Sequence, residues 1–326
     1  MGKKHTIEFD KRGPFHKGEK EIQARANVRP DLEENVRCFI TDNLPYHQQS
    51  FFSSLPMVFI GAEDSNKDLW SSMLFGDPGF INIDDTENIT LCSSFSSGDP
   101  IVENLPLSDD IGLLGIKLES RDRSRISAVL TDLTETTLSL KIKQSYINCP
   151  KYIQSRKARR VTIESKPETI AFKQFDKALS DFIETVDTLF LASLHVENKE
   201  RINQGVDCSH RGGMAGFVKV IDENTLVIPD YIGNNFFNTL GNITLDPRMG
   251  IQFLDFDHGH RLMLTGTAET VWASDEDLPF DGVDRMIRFT LKHGFHLKHS
   301  LPFEWELKEH SPFSKAYAGH DLGVDL

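Results

Sequence analysis

Apolar residues along this chain recur at two spacings. Leu138, Leu140 and Ile142 alternate with polar neighbours, and so do Ile287, Phe289 and Leu291. Alternation with period 2 predicts strands with one face buried and the other wet. The runs are short and separated by turns rich in Gly, Asn and Asp, which favours an antiparallel sandwich or barrel. Helical spacing occurs twice, at Leu32, Val36, Phe39 and Ile40 within 31–42 and at Phe175, Leu179, Phe182, Ile183 and Val186 within 172–186. The polar, basic stretch Ser155-Arg-Lys-Ala-Arg-Arg160 reads as a helix or a linker.

The pattern is stated twice. Residues 70–84 lie over residues 207–221 at an offset of 137, with Ser72 over Ser209, Gly76 over Gly213, Gly79 over Gly216 and Phe80 over Phe217. A second block, Leu114-Gly-Ile-Lys-Leu118 over Met249-Gly-Ile-Gln-Phe253, has an offset of 135. Each second block runs into a polar hairpin tip, Ser120-Arg-Asp-Arg-Ser124 in one copy and Asp255-Phe-Asp-His-Gly259 in the other. Arg121, Arg123 and Arg125 are expected to be a solvated tip. A period this long exceeds the 20–50 residues of stacked repeats, so each copy is a domain. The expected fold is mainly β, a β-barrel with flanking helices made twice over. The expected divisions are an N-terminal helical segment (1–45), a first barrel (46–154), a linker and helix (155–187) and a second barrel with a C-terminal extension (188–326).

Composition narrows the partners. The chain has 326 residues with 36 Lys and Arg against 49 Asp and Glu, a net charge of −13. That balance argues against a nucleic-acid backbone as partner, which needs clustered cations, but leaves room for a small basic pocket. No apolar run approaches the ~18–20 residues of a membrane helix. Cys38, Cys92, Cys149 and Cys208 are scattered, with neither C-x-x-C pairing nor disulfide-scaffold density, so a reducing cytoplasm is expected. Met1-Gly2-Lys-Lys-His-Thr6 fits the myristoylation pattern at Gly2, a short pattern that recurs by chance.

Chemistry should show where the copies diverge. Met73-Leu74-Phe75 in the first copy faces His210-Arg211-Gly212 in the second, which thus reads Ser209-His-Arg-Gly-Gly213. Ser, Arg and adjacent glycines before a strand can cradle an anion through close backbone approach and a bidentate charged fork; the plainer reading is a glycine turn with a surface Arg. Pro229-Asp-Tyr-Ile-Gly-Asn-Asn235 faces Ser93-Ser-Phe-Ser-Ser-Gly-Asp99. Asn234 and Asn235 offer amide donors beside the flat ring of Tyr231, in what is also a common tight turn. Lys219 either meets an anion or snorkels to solvent. Lys151, Tyr152, Gln154 and Arg156 follow Cys149, a thiol with only Lys151 nearby to activate it. His293, His296 and His299 sit at strand-like spacing, which puts His296 on the opposite face from the other two.

At these residues the sequence resembles the pyridoxamine 5′-phosphate oxidase-like, FMN-binding split-barrel superfamily, and within it the tandem-barrel flavin-nucleotide-binding proteins. The phrases that carry the likeness are Phe15-His-Lys-Gly-Glu19, Leu113-Leu-Gly-Ile116, Asn148-Cys-Pro-Lys-Tyr-Ile-Gln154, Ser209-His-Arg-Gly-Gly213 and Pro229-Asp-Tyr-Ile-Gly-Asn-Asn235. The resemblance implies two tandem split β-barrels in one chain forming a pseudo-dimer, with FMN between them, as a monomer or a homodimer. It places Lys219 over a phosphate-side Lys and Met214 where the oxidases carry Arg. Arg211 and Ser209 are then expected to compensate, with Asn234 and Asn235 in place of a Ser-Arg pair. Lys151, Arg156 and His210 are candidates beside the flavin N1 edge. Trp305 is followed by Glu-Leu-Lys-Glu and not by the Arg-x-His of the oxidases, which speaks against pyridoxamine phosphate as substrate. The implied function is an FMN-dependent oxidoreductase passing electrons from NAD(P)H to a small acceptor. The alternatives are a flavin carrier, or a haem-binding barrel using His210 or the terminal histidines.

Overall fold

The computed structural model describes residues 13–28, 31–93, 98–101, 105, 109–163, 167–198 and 201–316; the Gly2 pattern lies outside them. Three helices lead in: α1 (Lys17–Arg25), α2 (Leu32–Val36) and α3 (Tyr46–Ser53). The first sheet uses β1 (Met57–Glu63), β2 (Leu69–Phe75), β3 (Ile81–Ile83), β4 (Asn88–Cys92), β5 (Asp110–Lys117), β6 (Asp122–Leu133) and β7 (Thr137–Ile147). Then come β8 (Ser155–Arg160), β9 (Glu168–Phe172) and α4 (Lys177–Thr185). The second sheet uses β10 (Thr188–His195), β11 (Gly205–Gly212), β12 (Lys219–Val220), β13 (Thr225–Pro229), β14 (Arg248–Asp255), β15 (His260–Trp272) and β16 (Arg285–Lys298), with α5 (Asn238–Leu245) inserted before β14. β17 (Phe303–Glu309) and α6 (Pro312–Ala316) close the described chain.

The two sheets have one strand order. The first runs β2-β1-β5-β6-β7-β4-β3 and the second β11-β10-β14-β15-β16-β13-β12, all antiparallel. Each surrounds its own apolar core, so the chain is two split barrels in tandem. Details repeat as well. A Cβ on Gly76 would meet the Phe80 side chain at 2.4 Å and one on Gly213 would meet Phe217 at 2.5 Å, which accounts for both glycines. The offset of 135 for the second block is corrected by the strand register. Lys117 pairs with Asp122 at one hairpin and Asp255 with His260 at the other, and both sheets bulge just after Ser127 and Thr265. Gly112 is therefore the counterpart of Gly250; Gly115, matched to Gly250 by residue identity, instead lies under Phe52 and Leu55.

A third core holds the barrels together. Phe59 and Phe190 occupy equivalent positions on β1 and β10 and stack on each other, with ring centroids 3.4 Å apart at 10°. Met57, Met73, Leu114, Cys208 and Leu254 surround them. On either side of this stack the contacts are reciprocal: Gly112 of β5 lies on the backbone of Val206–Cys208 in β11, and Gly250 of β14 lies on Leu69–Ser71 in β2. Such self-complementary contact is the signature of a two-fold interface, here made within one chain.

Two local expectations change. Residues 155–160 are neither helix nor free linker: β8 pairs with β17, tying the segment between the barrels to the C-terminal extension. The helix foreseen over 31–42 is reduced to α2, five residues long. Phe15-His-Lys-Gly-Glu19 is a helix start in which His16 accepts from Gly18 N while Glu19 Oε2 accepts from His16 N at 2.8 Å, a reciprocal capping box. Gly18 faces Gly241 of α5, where a Cβ would meet a carbonyl oxygen at 2.2 Å, so the two helices touch backbone to backbone. The close approach buries Glu19, which Asn238 also contacts at 2.5 Å.

Two predictions follow from this packing. Gly250→Ala would place its Cβ 2.6 Å from Trp70 Cα; it should cost about 1–3 kcal/mol in urea unfolding, the usual penalty for overpacking. Burial pushes the Glu19 carboxyl up to about 8. Between the ordinary value of 4.5 and about 8 the folded state holds a proton that the unfolded state releases. Glu19 therefore lowers stability as the pH rises through that window. Relative to wild type, Glu19→Gln should gain stability from pH 4.5 to 8 and show no pH trend below 4.5, in urea melts at a series of pH values.

Candidate functional site

Where the open end of β6 and the end of β7 meet β11 and the turn after β13, the seam opens into a cleft. The first barrel contributes Arg123, Arg125, Asn148, Cys149, Lys151 and Tyr152; the second contributes His210, Arg211, Asp230, Tyr231 and the Gly233–Asn235 turn, followed by Asn238 and Thr239. Three residues at its rim other than glycine have left-handed backbones, Tyr152 (φ 68°), Asn235 (φ 61°) and Phe237 (φ 58°). Such a conformation is uncommon for a bulky residue such as Phe and is found where surrounding structure enforces it, often at functional sites.

Of the ten residues singled out in the sequence, the cleft gathers seven: Lys151, Tyr152, His210, Arg211, Tyr231, Asn234 and Asn235. The other three lie elsewhere. Lys219 reaches out of the second barrel to the Pro279 carbonyl, with its ammonium 4.9 Å from the Phe280 ring centre. Gln154 is buried and binds the Gly213 carbonyl at 2.6 Å and Ser311 N at 2.7 Å, fastening the C-terminal extension. Ser209 donates to Asp207 at 2.8 Å behind the cleft wall. Arg156 is buried against Asp187 at 2.6 Å, and Trp305 packs on Phe256 and Phe303 away from the cleft.

Arg123 and Arg125 are the cleft residues that sequence reasoning misplaced. They do not form a solvated tip: both turn into the seam, and Arg121 beside them binds the Ile153 carbonyl and Glu309. Their position on β6, one and three residues past the hairpin, is set by register. Only the approach of the second barrel turns that stretch from surface into cleft. Burial opposes the charge of Arg125, but Asp207 at 3.1 Å outweighs it and raises its pKa. Arg211 is matched by Asp230, which also binds Arg285 at 2.7 Å.

Arg123 is different. Its Nε donates to the Cys149 carbonyl at 2.7 Å, and its Nη1 lies 3.4 Å from His210 Nδ1 and 3.5 Å from the His210 carbonyl. None of these partners is a carboxylate. Burial, and then the neighbouring Arg125, pull its pKa down to about 9. Burial together with the positive field of Arg123, Arg211, Arg125 and Arg156 holds His210 neutral, its pKa well below the ordinary value. A chain of net charge −13 has thus assembled a local positive field in which, among the described residues, Arg123 touches no carboxylate. Lys151 adds a second cation, its ammonium over the Phe313 ring. Three buried polar atoms of cleft residues, Arg125 Nε, Asn148 Oδ1 and His210 Nε2, lack hydrogen-bond partners; buried groups of this kind ordinarily find one, often in a ligand or water. Among the described residues no group of three or more His, Cys, Asp or Glu is placed to hold a metal ion, and no helix is long and apolar enough to cross a membrane.

Residues 175–298 match the family model described as pyridoxamine 5′-phosphate oxidase. The match falls on the second barrel and accords with the resemblance to the pyridoxamine 5′-phosphate oxidase-like superfamily. No curated protein matches the chain by sequence. Among solved structures it is similar to HupZ of Group A Streptococcus, with 15% identity over 39% of this chain and 98% of that one, at a TM-score of 0.28. It is also similar to the FAD binding protein of Mycobacterium smegmatis, with 10% identity over 40% of this chain and 98% of that one, at 0.25. At such scores neither likeness bears on function.

The unmatched cation gives a direct test. Arg123→Met should leave the ligand-free protein as stable as wild type or more so, because no carboxylate is abandoned. Arg261→Met, which strands the buried Asp99 carboxylate, should cost about 3–5 kcal/mol. Paired urea titrations compare the two.

Proposed function

We infer that the cleft binds a flavin mononucleotide and that the chain is an FMN-dependent oxidoreductase passing electrons from NAD(P)H to a small acceptor. The observation that carries this reading is Arg123, a recessed guanidinium with no carboxylate partner among the described residues, facing an open cleft beside a barrel that matches the pyridoxamine 5′-phosphate oxidase family model. A phosphate would meet Arg123, Lys151 and the amides of the Gly233–Asn235 turn. The Arg125–Asp207 pair and Arg211, which shares Asp230 with Arg285, already have carboxylate partners and would set the walls. Tyr152 and Tyr231, with ring centroids 5.1 Å apart, border the space for a flat ring. His210, neutral and with Nε2 unpartnered, can donate a hydrogen bond to a ring heteroatom without adding charge. Bound flavin would supply the redox step; the protein contributes placement and field.

Two features favour this reading over pyridoxamine phosphate oxidation: Trp305 stands away from the cleft, and no Arg-x-His follows it. The test is titration of FMN followed by quenching of flavin fluorescence. Wild type should bind, and Arg123→Ala should weaken binding about 10- to 100-fold, the worth of one charged hydrogen-bonding partner. Equal affinity in the two proteins would remove Arg123 from the site. Steady NADPH oxidation by the loaded protein separates an enzyme from a carrier of flavin.

A further inference from the structure

The pseudo-two-fold that relates the barrels demands a second cleft, and at that place the chain has put its own carboxylate. The strand registers identify the counterparts. Arg123 follows the β5–β6 hairpin as Arg261 follows the β14–β15 hairpin. Ser72 and Met73 stand for Ser209 and His210, since Ile60↔Ser72 and Phe59↔Met73 repeat as Leu191↔Ser209 and Phe190↔His210. Where Arg123 faces open space, Arg261 is fully buried. Its Nη1 lies 2.8 Å from Asp99 Oδ2 and 3.3 Å from Ser72 Oγ, and its Nε donates to Ser300 Oγ at 3.1 Å. Asp99 also accepts from Ser72 Oγ, and from Ile101 N at 3.2 Å. Both ion-pair side chains have no solvent exposure.

The wall beside this cluster is apolar in the second position. The charged pair Arg125–Asp207 at the cleft is replaced by Met263 and Trp70, which belong to the first barrel's core. The Trp70 ring lies 5.5 Å from that of Phe295. Trp70 Nε1 is satisfied by Asp64 at 3.0 Å.

We propose that the chain has a single anion-binding site, and that Asp99 fills the pseudo-equivalent position as a built-in carboxylate, held by Arg261 as the ligand's anionic group is held by Arg123. That the ligand is a flavin nucleotide rests on the reading above; that Asp99 is a tethered anion in an anion site does not. One arginine position therefore has two fates in one chain, internal neutralisation and neutralisation from solution. Asp99 lies after β4 and Asn235 after β13, so the segment that closes one position lines the other.

The experiment has two arms. Titration of the full chain with FMN should saturate at one equivalent per chain; two equivalents would overturn the proposal. No binding would overturn the flavin reading and leave the second arm to decide this one. In that arm Asp99→Ala is compared with wild type in acetate and in chloride at equal ionic strength. Acetate should raise the Tm of Asp99→Ala, with a saturable dependence, by entering the vacated position beside Arg261. It should not raise that of wild type or of the double variant Asp99→Ala, Arg261→Met. If Asp99→Ala does not fold in chloride, recovery of folded protein on refolding in acetate is the readout. Absence of any acetate effect on Asp99→Ala would overturn the assignment of Asp99 as an occupying anion.

Discussion

Phe59 stacked on Phe190, with Gly112 and Gly250 each laid on the other barrel's backbone, is the contact on which the remaining structure depends. A split barrel by itself exposes a strand face that no helix covers. Two of them solve the problem by covering each other, and glycine is required where backbone meets backbone because any Cβ there would lie within 2.7 Å of main-chain atoms. The seam is thus closely packed at its centre. Its flanks are free to differ, and they do.

The difference is electrostatic. Both flanks present an arginine from the first residues of the strand after the hairpin, and both must dispose of its charge in a place shielded from water. Leaving a desolvated guanidinium unmatched is costly. One flank answers with Asp99 and a packed apolar surround of Trp70 and Met263; the other surrounds Arg123 with Arg125, Arg211 and Lys151 and leaves the space open. The second arrangement makes physical sense as a receptor for an anion.

The elements that look peripheral serve this asymmetry. α1 and α5 meet through Gly18 and Gly241, and α5 carries Asn238 and Thr239 to the cleft wall. β8 and β17 pair to bring the C-terminal extension under the Asn148–Gln154 segment, where Ser311 binds both Tyr152 N and the Gln154 amide. The extension thereby braces the residues that present Lys151 and Tyr152.

Much of the architecture was readable along the chain. Period-2 alternation at Leu138–Ile142 and Ile287–Leu291 marks β7 and β16, and the Gly76/Phe80 and Gly213/Phe217 pairs report one local geometry used twice, because a glycine facing a phenylalanine is a matter of short-range sterics. The turn residues Asn234 and Asn235 and the replacement of Met73-Leu74 by His210-Arg211 were likewise visible as departures from the repeat. Short identities misled where they were not tied to a local constraint: Leu-Gly-Ile over Met-Gly-Ile aligned Gly115 with Gly250, and only hydrogen-bond register shows Gly112 to be the counterpart. The strand β8 was hidden because its partner β17 is contributed from about 150 residues away, as flagged by no periodicity of its own. Lys219 and Arg211 carried charges that suited a phosphate, yet nearby groups, the Pro279 carbonyl and Asp230, already engage them. Composition and pattern alone determined that there would be two related β units with polar replacements in the second, because alternation, turns and glycines act over a few residues. Which arginine meets a carboxylate and which meets an open cleft was decided only by tertiary structure, since that depends on the group the opposite barrel brings across the seam.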